Sequence, residues 1–197
     1  DITSICGGLN INIRTLNKNT IPSMFLAGKK ANELGHIVLL DPVGAGASRL
    51  RADTANRLMQ EVRFDAVRGN ISEIKTLCTG SGSTKGVDAD AVDAVTEANL
   101  DDGVALVKAF AKQTGCIIAV TGAIDLVSDG ERCWCIRNGR AEMSRITGTG
   151  CQLSALMTAF LVANPDRKLD AAAAAVCMMG LAGEIGWANM QPGDGNS

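Results

Sequence analysis

The sequence predicts an α/β domain built on an open, mostly parallel sheet. Short apolar runs of strand length alternate with longer stretches of helical periodicity. Two of the runs, His36-Ile-Val-Leu-Leu40 and Cys116-Ile-Ile-Ala-Val120, are continuously apolar, as strands covered on both faces are. Polar or glycine-rich segments follow the strands at Asp41-Pro42, Arg68-Gly-Asn70 and Thr121-Gly122. Open parallel sheets bind ligands at the carboxyl ends of their strands, so the working edge is expected at those three points.

Each element has its own signal. Residues 9–13 alternate apolar and polar at period two, as a strand does. Thr20 is placed to cap a helix with Pro22 in its first turn, with Ile21, Met24, Phe25, Gly28, Ala31 and Leu34 on its inner face and Gly35 at its end. After the strand at 36–40, a helix over 50–63 turns Leu50, Ala55, Leu58, Met59 and Val62 inward. Ala66-Val67-Arg68 is a short strand, and Asn70 starts the next helix. Residues 79–99, rich in Gly, Ser, Thr and Asp, are expected to form a long loop. A helix over 100–114 stops at Gly115 and precedes the strand at 116–120. Asp129-Gly130 and Asn138-Gly139 predict two tight turns of an antiparallel meander. Helices over 150–163 and 169–189 close the chain.

A chain of 197 residues, 46% hydrophobic, can bury one sizeable core, so residues 1–197 are expected to form a single domain. Its formal net charge of −2 gives no electrostatic footprint for nucleic acid or an anionic membrane surface. The longest uncharged apolar stretch, 171–183, falls short of the about 20 residues a bilayer span needs. No secretory signal is visible, and a soluble, cytoplasmic protein is expected. Asp1 is not an initiator and nothing closes the chain after Asp194, so the domain is expected to be incomplete at both ends. Seven cysteines at irregular spacing point to neither a disulfide framework nor a zinc ribbon, and most are expected to be small buried hydrophobes. With His36 the only histidine, a metal cluster or a Ser-His-Asp site is disfavoured.

Chemistry concentrates in a few segments. In Thr147-Gly-Thr-Gly-Cys151 two glycines allow a sharp turn, and the helix that follows presents unpaired N–H groups. Such a turn can hold a phosphoryl group in transfer, although glycine-rich helix starts also occur without ligands. Gly80-Ser-Gly-Ser-Thr-Lys85 lacks the spacing of a P-loop, and neither Gly44-Ala-Gly46 nor Gly148-Thr-Gly150 has the third glycine of a dinucleotide fingerprint. In Arg68-Gly-Asn-Ile-Ser-Glu73, Asn70 and Glu73 share a helix face. Glu73 there can hold Mg²⁺ and Arg68 can neutralise phosphate. The same pair also fits a plain helix cap.

Taken in order, Asp41-Pro-Val-Gly-Ala-Gly-Ala-Ser48, Arg68-Gly-Asn-x-x-Glu73, Val120-Thr-Gly122 and Thr147-Gly-Thr-Gly-Cys151 resemble the hydroxyethylthiazole kinase family over nearly the whole chain. The resemblance implies a ribokinase-like fold, a doubly wound, mostly parallel sheet flanked by helices. It implies ATP-dependent phosphorylation of the hydroxyl of 4-methyl-5-(2-hydroxyethyl)thiazole in thiamine biosynthesis or salvage, in a homotrimer with sites between subunits. Asp41 and Glu73 would then organise Mg²⁺ and phosphate, Arg68 and Thr121 would contact ATP, and Gly148 would line the substrate pocket. Cys151 would sit beside the attacking hydroxyl, where many ribokinase-like relatives carry Asp as base. A thiol at a helix N-terminus can serve as base, yet phosphoryl transfer rests mainly on positioning and electrostatics. The chain departs from the family at Asn12-Ile-Arg14-Thr-Leu16, where glycine is usual in place of Arg14. That departure leaves open a degenerate nucleotide-binding protein without turnover. A kinase for a related pyrimidine alcohol is a third possibility.

Overall fold

The computed structural model describes residues 1–80, 94–191 and 194. Most of the loop expected at 79–99, and the glycine-rich run from Ser81 to Lys85, lie outside them. Six strands form one sheet in sequential order: β1 (Gly8–Asn12), β2 (Ile37–Asp41), β3 (Ala66–Asn70), β4 (Ile117–Thr121), β5 (Asp125–Ser128) and β6 (Cys133–Ile136). Neighbours from β1 to β4 are parallel, and β4, β5 and β6 are antiparallel. This mixed sheet, flanked by helices, is the open, mostly parallel α/β architecture that the alternation of elements predicts.

The helices are α1 (Thr20–Glu33), α2 (Arg49–Glu61), α3 (Ile71–Gly80), α4 (Leu100–Thr114), α5 (Thr149–Ala163) and α6 (Lys168–Asn189). Strand alternation splits the apolar side chains into two cores. On one face Ile11, Val38, Leu40, Val67, Ile118 and Val120 pack with Phe25, Leu58, Ile74 and Phe110 of α1–α4. On the other, Ile37, Leu39, Ala66, Ile117 and Ala119 pack with Leu153, Met157 and Leu161 of α5 and Ala172 and Val176 of α6. The α1–α4 crossovers therefore cover one face, and the last two helices close the other.

Several local expectations are corrected. Asn17, not Thr20, caps α1, because its Oδ1 accepts from the N–H groups of Asn19 and Thr20 at 2.8 and 2.9 Å. Leu34 and Leu50 face solvent, at 41% and 55% exposure, while α1 buries Phe25, Gly28 and Ala31 and α2 buries Thr54, Ala55 and Leu58. The meander exists, but its first turn lies between β4 and β5, where Gly122 N–H donates to Asp125 Oδ1 at 2.8 Å. Asn138-Gly139 is no hairpin. It leads into a short 3-10 helix at Ala141–Arg145, tied to α6 by Asn138 Nδ2 donating to the Cys177 carbonyl and Gly139 N–H to Glu184. The seven cysteines form no disulfides, and only Cys78 and Cys116 are buried. Burial pushes the Cys78 thiol up to about 12, which keeps it an inert packing group.

Among the described residues one helical segment, Pro165–Asn189, is long and apolar enough by length and composition to cross a membrane, since the helix runs on past Asp170 and Glu184. Its inner side is used up against the sheet, through Leu169, Ala172, Ala175 and Val176. The alanines that made it look uniformly apolar let it sit close to β4, β5 and β6.

Candidate active site

The carboxyl ends of the four parallel strands converge on the start of α5. Residues 12, 41, 68 and 121 are each one step beyond a residue packed against α1–α4, so alternation turns all four side chains to the α5 side. Asn12 and Asp41 are register partners across β1 and β2.

Asp41 is fully buried at 0% exposure and lies at the centre of the site. Its Oδ2 accepts from Ser154 Oγ at 2.8 Å and Asn12 Nδ2 at 2.9 Å, with Arg68 Nη1 at 3.9 Å. Its Oδ1 is buried with no hydrogen-bond partner in the structure. Burial pushes the carboxyl above its ordinary range, and Arg68, Ser154 and Asn12 pull against that rise. Buried charge of this kind is costly unless paired, so the three donors keep an acid where solvation would otherwise expel it.

Arg68 in turn is held by Thr121, whose Oγ1 accepts from Nη2 at 2.7 Å. Its guanidinium lies against the α5 start so closely that a Cβ on Gly150 would stand 2.6 Å from Nη1. Glycine at 150 is therefore a steric requirement of the arginine's position. Gly148 precedes α5 at φ +94°, a backbone region that L side chains rarely adopt. The first i to i−4 bond of the helix runs from Gln152 N–H to the Gly148 carbonyl at 2.9 Å. The N–H groups of Thr149, Gly150 and Cys151 thus precede the hydrogen-bond ladder, at the positive end of a 15-residue helix.

Glu73 forms a reciprocal cap with Asn70: Glu73 Oε2 accepts from Asn70 N–H at 2.8 Å, and Asn70 Oδ1 accepts from Glu73 N–H at 2.9 Å. Its other oxygen accepts from Gly44 N–H at 2.7 Å, which pins the Asp41–Ser48 loop to the start of α3. The helix-cap arrangement is thus present, and it holds together the two loops that flank the site.

Beside Arg68 opens a cleft of about 560 Å³ lined by Thr121, Asp125, Asn138, Thr149, Gly150 and Met179 among others. Burial pushes the Asp125 carboxyl up to about 6, against the pull of the Gly122 N–H and Arg68. Three residues here escape sequence inspection. Asn12 ends an ordinary-looking strand, Asp125 sits in a turn, and Ser154 reads as one more small helical residue. A signal did exist for Ser154, which lies three residues after Cys151 and so on the same helix face.

A profile of the hydroxyethylthiazole kinase family matches residues 1–196. The hydroxyethylthiazole kinase of Clostridium acetobutylicum is 55% identical over 197 residues, all of this chain and 72% of its own length. The chain belongs to the hydroxyethylthiazole kinase family. It is accordingly a kinase. The solved hydroxyethylthiazole kinase protein of Pyrococcus horikoshii superposes with a TM-score of 0.82 at 32% identity, covering 95% of this chain and 66% of that one. A ribokinase-like superfamily protein of Enterococcus faecalis matches with a TM-score of 0.69 at 11% identity, covering 95% and 58%, a likeness of fold alone.

Proposed function

We propose that this chain transfers the γ-phosphoryl group of ATP to the hydroxyl of 4-methyl-5-(2-hydroxyethyl)thiazole, in thiamine biosynthesis or salvage. The observation that carries this is the convergence of Asp41, Arg68 and Cys151 on the free N–H groups that open α5. The cleft beside Arg68 is the ATP site, with Arg68 on phosphate oxygens. Thr121 serves ATP by orienting Arg68, through the 2.7 Å bond between them. Gly148 lines the alcohol's pocket at the turn, and its positive φ lets the backbone approach the substrate.

Phosphoryl transfer asks for charge neutralisation and alignment more than for covalent help. The N–H groups of residues 149–151 face the transferring group, and Arg68 balances its charge. Cys151 accepts the alcohol's proton in part, as the new O–P bond forms and ADP departs. Asp41 would hold Mg²⁺ through its unpartnered buried oxygen, and Glu73, whose two oxygens already accept from Gly44 and Asn70 N–H groups, would act on it through water. Among the described residues no three Asp, Glu, His or Cys side chains cluster as metal ligands. Mg²⁺ takes many of its ligands from water and phosphates. When bound, it would neutralise phosphate charge. A homotrimer in the cytoplasm completes the proposal, supported by the exposed Met178, Leu181 and Ile185 on α6.

A coupled ADP-release assay with and without hydroxyethylthiazole tests the reaction. ADP release that depends on the thiazole alcohol is expected. Release that ignores it, or follows a hydroxymethylpyrimidine instead, overturns the substrate.

A further inference from the structure

The amide of Asn12 is fixed at every polar corner. Its Oδ1 accepts from the Arg14 N–H at 2.9 Å, which settles which way the amide faces. Its Nδ2 then has two hydrogens to give, and it gives them to two different site residues. One goes to Asp41 Oδ2 at 2.9 Å and the other to Cys151 Sγ at 3.2 Å. Asn12 thereby joins β1, β2 and α5 at a single nitrogen.

We infer that Asn12 is a positioning residue that holds the Cys151 sulfur as a hydrogen-bond acceptor and locks it to the Asp41 carboxylate. An N–H aimed at sulfur turns the thiol's own hydrogen away from the amide and fixes the direction of the sulfur's lone pairs. The same nitrogen on Asp41 makes the two groups move as one unit, so the base and the phosphate-organising carboxylate keep their spacing through turnover. The Arg14 side chain takes no part. Only its backbone N–H is used, so arginine at that position leaves the clamp intact. The inference rests on the proposed role of Cys151, and its test separates the two.

Two variants and two readouts suffice. Asn12→Leu keeps the size of the side chain and removes both donors. Ser154→Ala strips a different donor from the same Asp41 oxygen and leaves the sulfur's partner in place. The readouts are the rate at which iodoacetamide alkylates Cys151 at neutral pH, followed by mass spectrometry of its peptide, and the kcat and KM of the thiazole-dependent reaction. Asn12→Leu should slow Cys151 alkylation about tenfold, the loss of one hydrogen bond to a charged acceptor. Its kcat should fall by about the same factor, with the KM for ATP within about twofold. Ser154→Ala should leave alkylation within about twofold of wild type. Asn12→Ala is read the same way if the leucine variant does not fold. Unchanged or faster alkylation of Cys151 in a folded Asn12 variant overturns the inference, whatever happens to turnover. Slowed alkylation alongside a wild-type rate in Cys151→Ala keeps the clamp and removes Cys151 from the reaction instead.

Discussion

Cys151 and Glu73 each carry two roles that substitution can pull apart. As a general base the thiol must lose its proton, so the rate should climb with pH on the acid side. Cys151→Ala should flatten that limb and lower the maximal rate by roughly 10²-fold, the low end for lost base catalysis. Cys151→Asp should retain more activity than Cys151→Ala, because a carboxylate can take the same proton. A Cys151→Ala enzyme with wild-type rate and pH profile leaves only the anion hole of residues 149–151. For Glu73, both oxygens already hold backbone N–H groups, of Gly44 and Asn70. Glu73→Gln keeps the size, removes the charge and turns an amide N–H toward one of those donors. Activity should fall at least about tenfold, equivalent to about 1.4 kcal/mol of barrier, with a higher Mg²⁺ requirement in initial-rate titrations. A lower melting temperature with an unchanged Mg²⁺ dependence would make Glu73 a loop clamp alone.

Between elements, the turn joining β4 to β5 makes its own prediction. Asp125 binds its proton more tightly in the folded protein than in the unfolded chain, with a pKa of about 6 against 3.8. The folded state therefore holds more protons through that window, and stability should drop as pH rises from about 4 to 6, then level off. Asp125→Asn keeps an oxygen for the Gly122 N–H and avoids burying a charge. It should melt higher than wild type near pH 7, by about 1 to 2 kcal/mol once solvent screening of a half-buried group is allowed for, and lose the pH dependence. Thermal melts across that range check it, and a wild-type melting profile flat between pH 4 and 6 would contradict it. This turn also marks where sequence stopped being legible. The helix ending at Gly115 and the strands at 36–40 and 116–120 were readable because period and punctuation agree there. Asp129-Gly130 does turn β5 into β6, but the β4–β5 turn is not legible because Gly122 turns the chain with an aspartate's help, and Asn138-Gly139 has the hairpin residues but docks on α6 instead. Asp41, Arg68 and Thr121 stood out as polar strand ends, and Asn12 obeys the same rule at the end of β1. Asp125 acts through burial, and Ser154, though its spacing places it on the Cys151 face, acts through a contact 113 residues away that local pattern does not specify.

Across the whole molecule, the outer side of α6 leaves Met178, Leu181 and Ile185 exposed, at 50%, 47% and 55%. Apolar groups gathered on one helix face are what a subunit contact buries. Light scattering on the purified protein should give the mass of three chains, and Leu181→Lys should shift it toward one. A stable, active monomer would dispose of the trimer. The two cores have a further consequence during synthesis. The first is complete once α4 and the strands to β5 have been made, because every member lies within residues 11–126. The second needs α5 and α6, whose last residue is Asn189. At roughly 5–20 residues per second, the sheet's other face, with Leu39, Ile117 and Val127, is left bare on the growing chain for some seconds. Cys151 and Ser154 also arrive in that late segment, so the site is assembled only after the first core. Until then the nascent protein shows the cell a sticky half-sheet, and it should be a client of chaperones that meet chains at the tunnel exit.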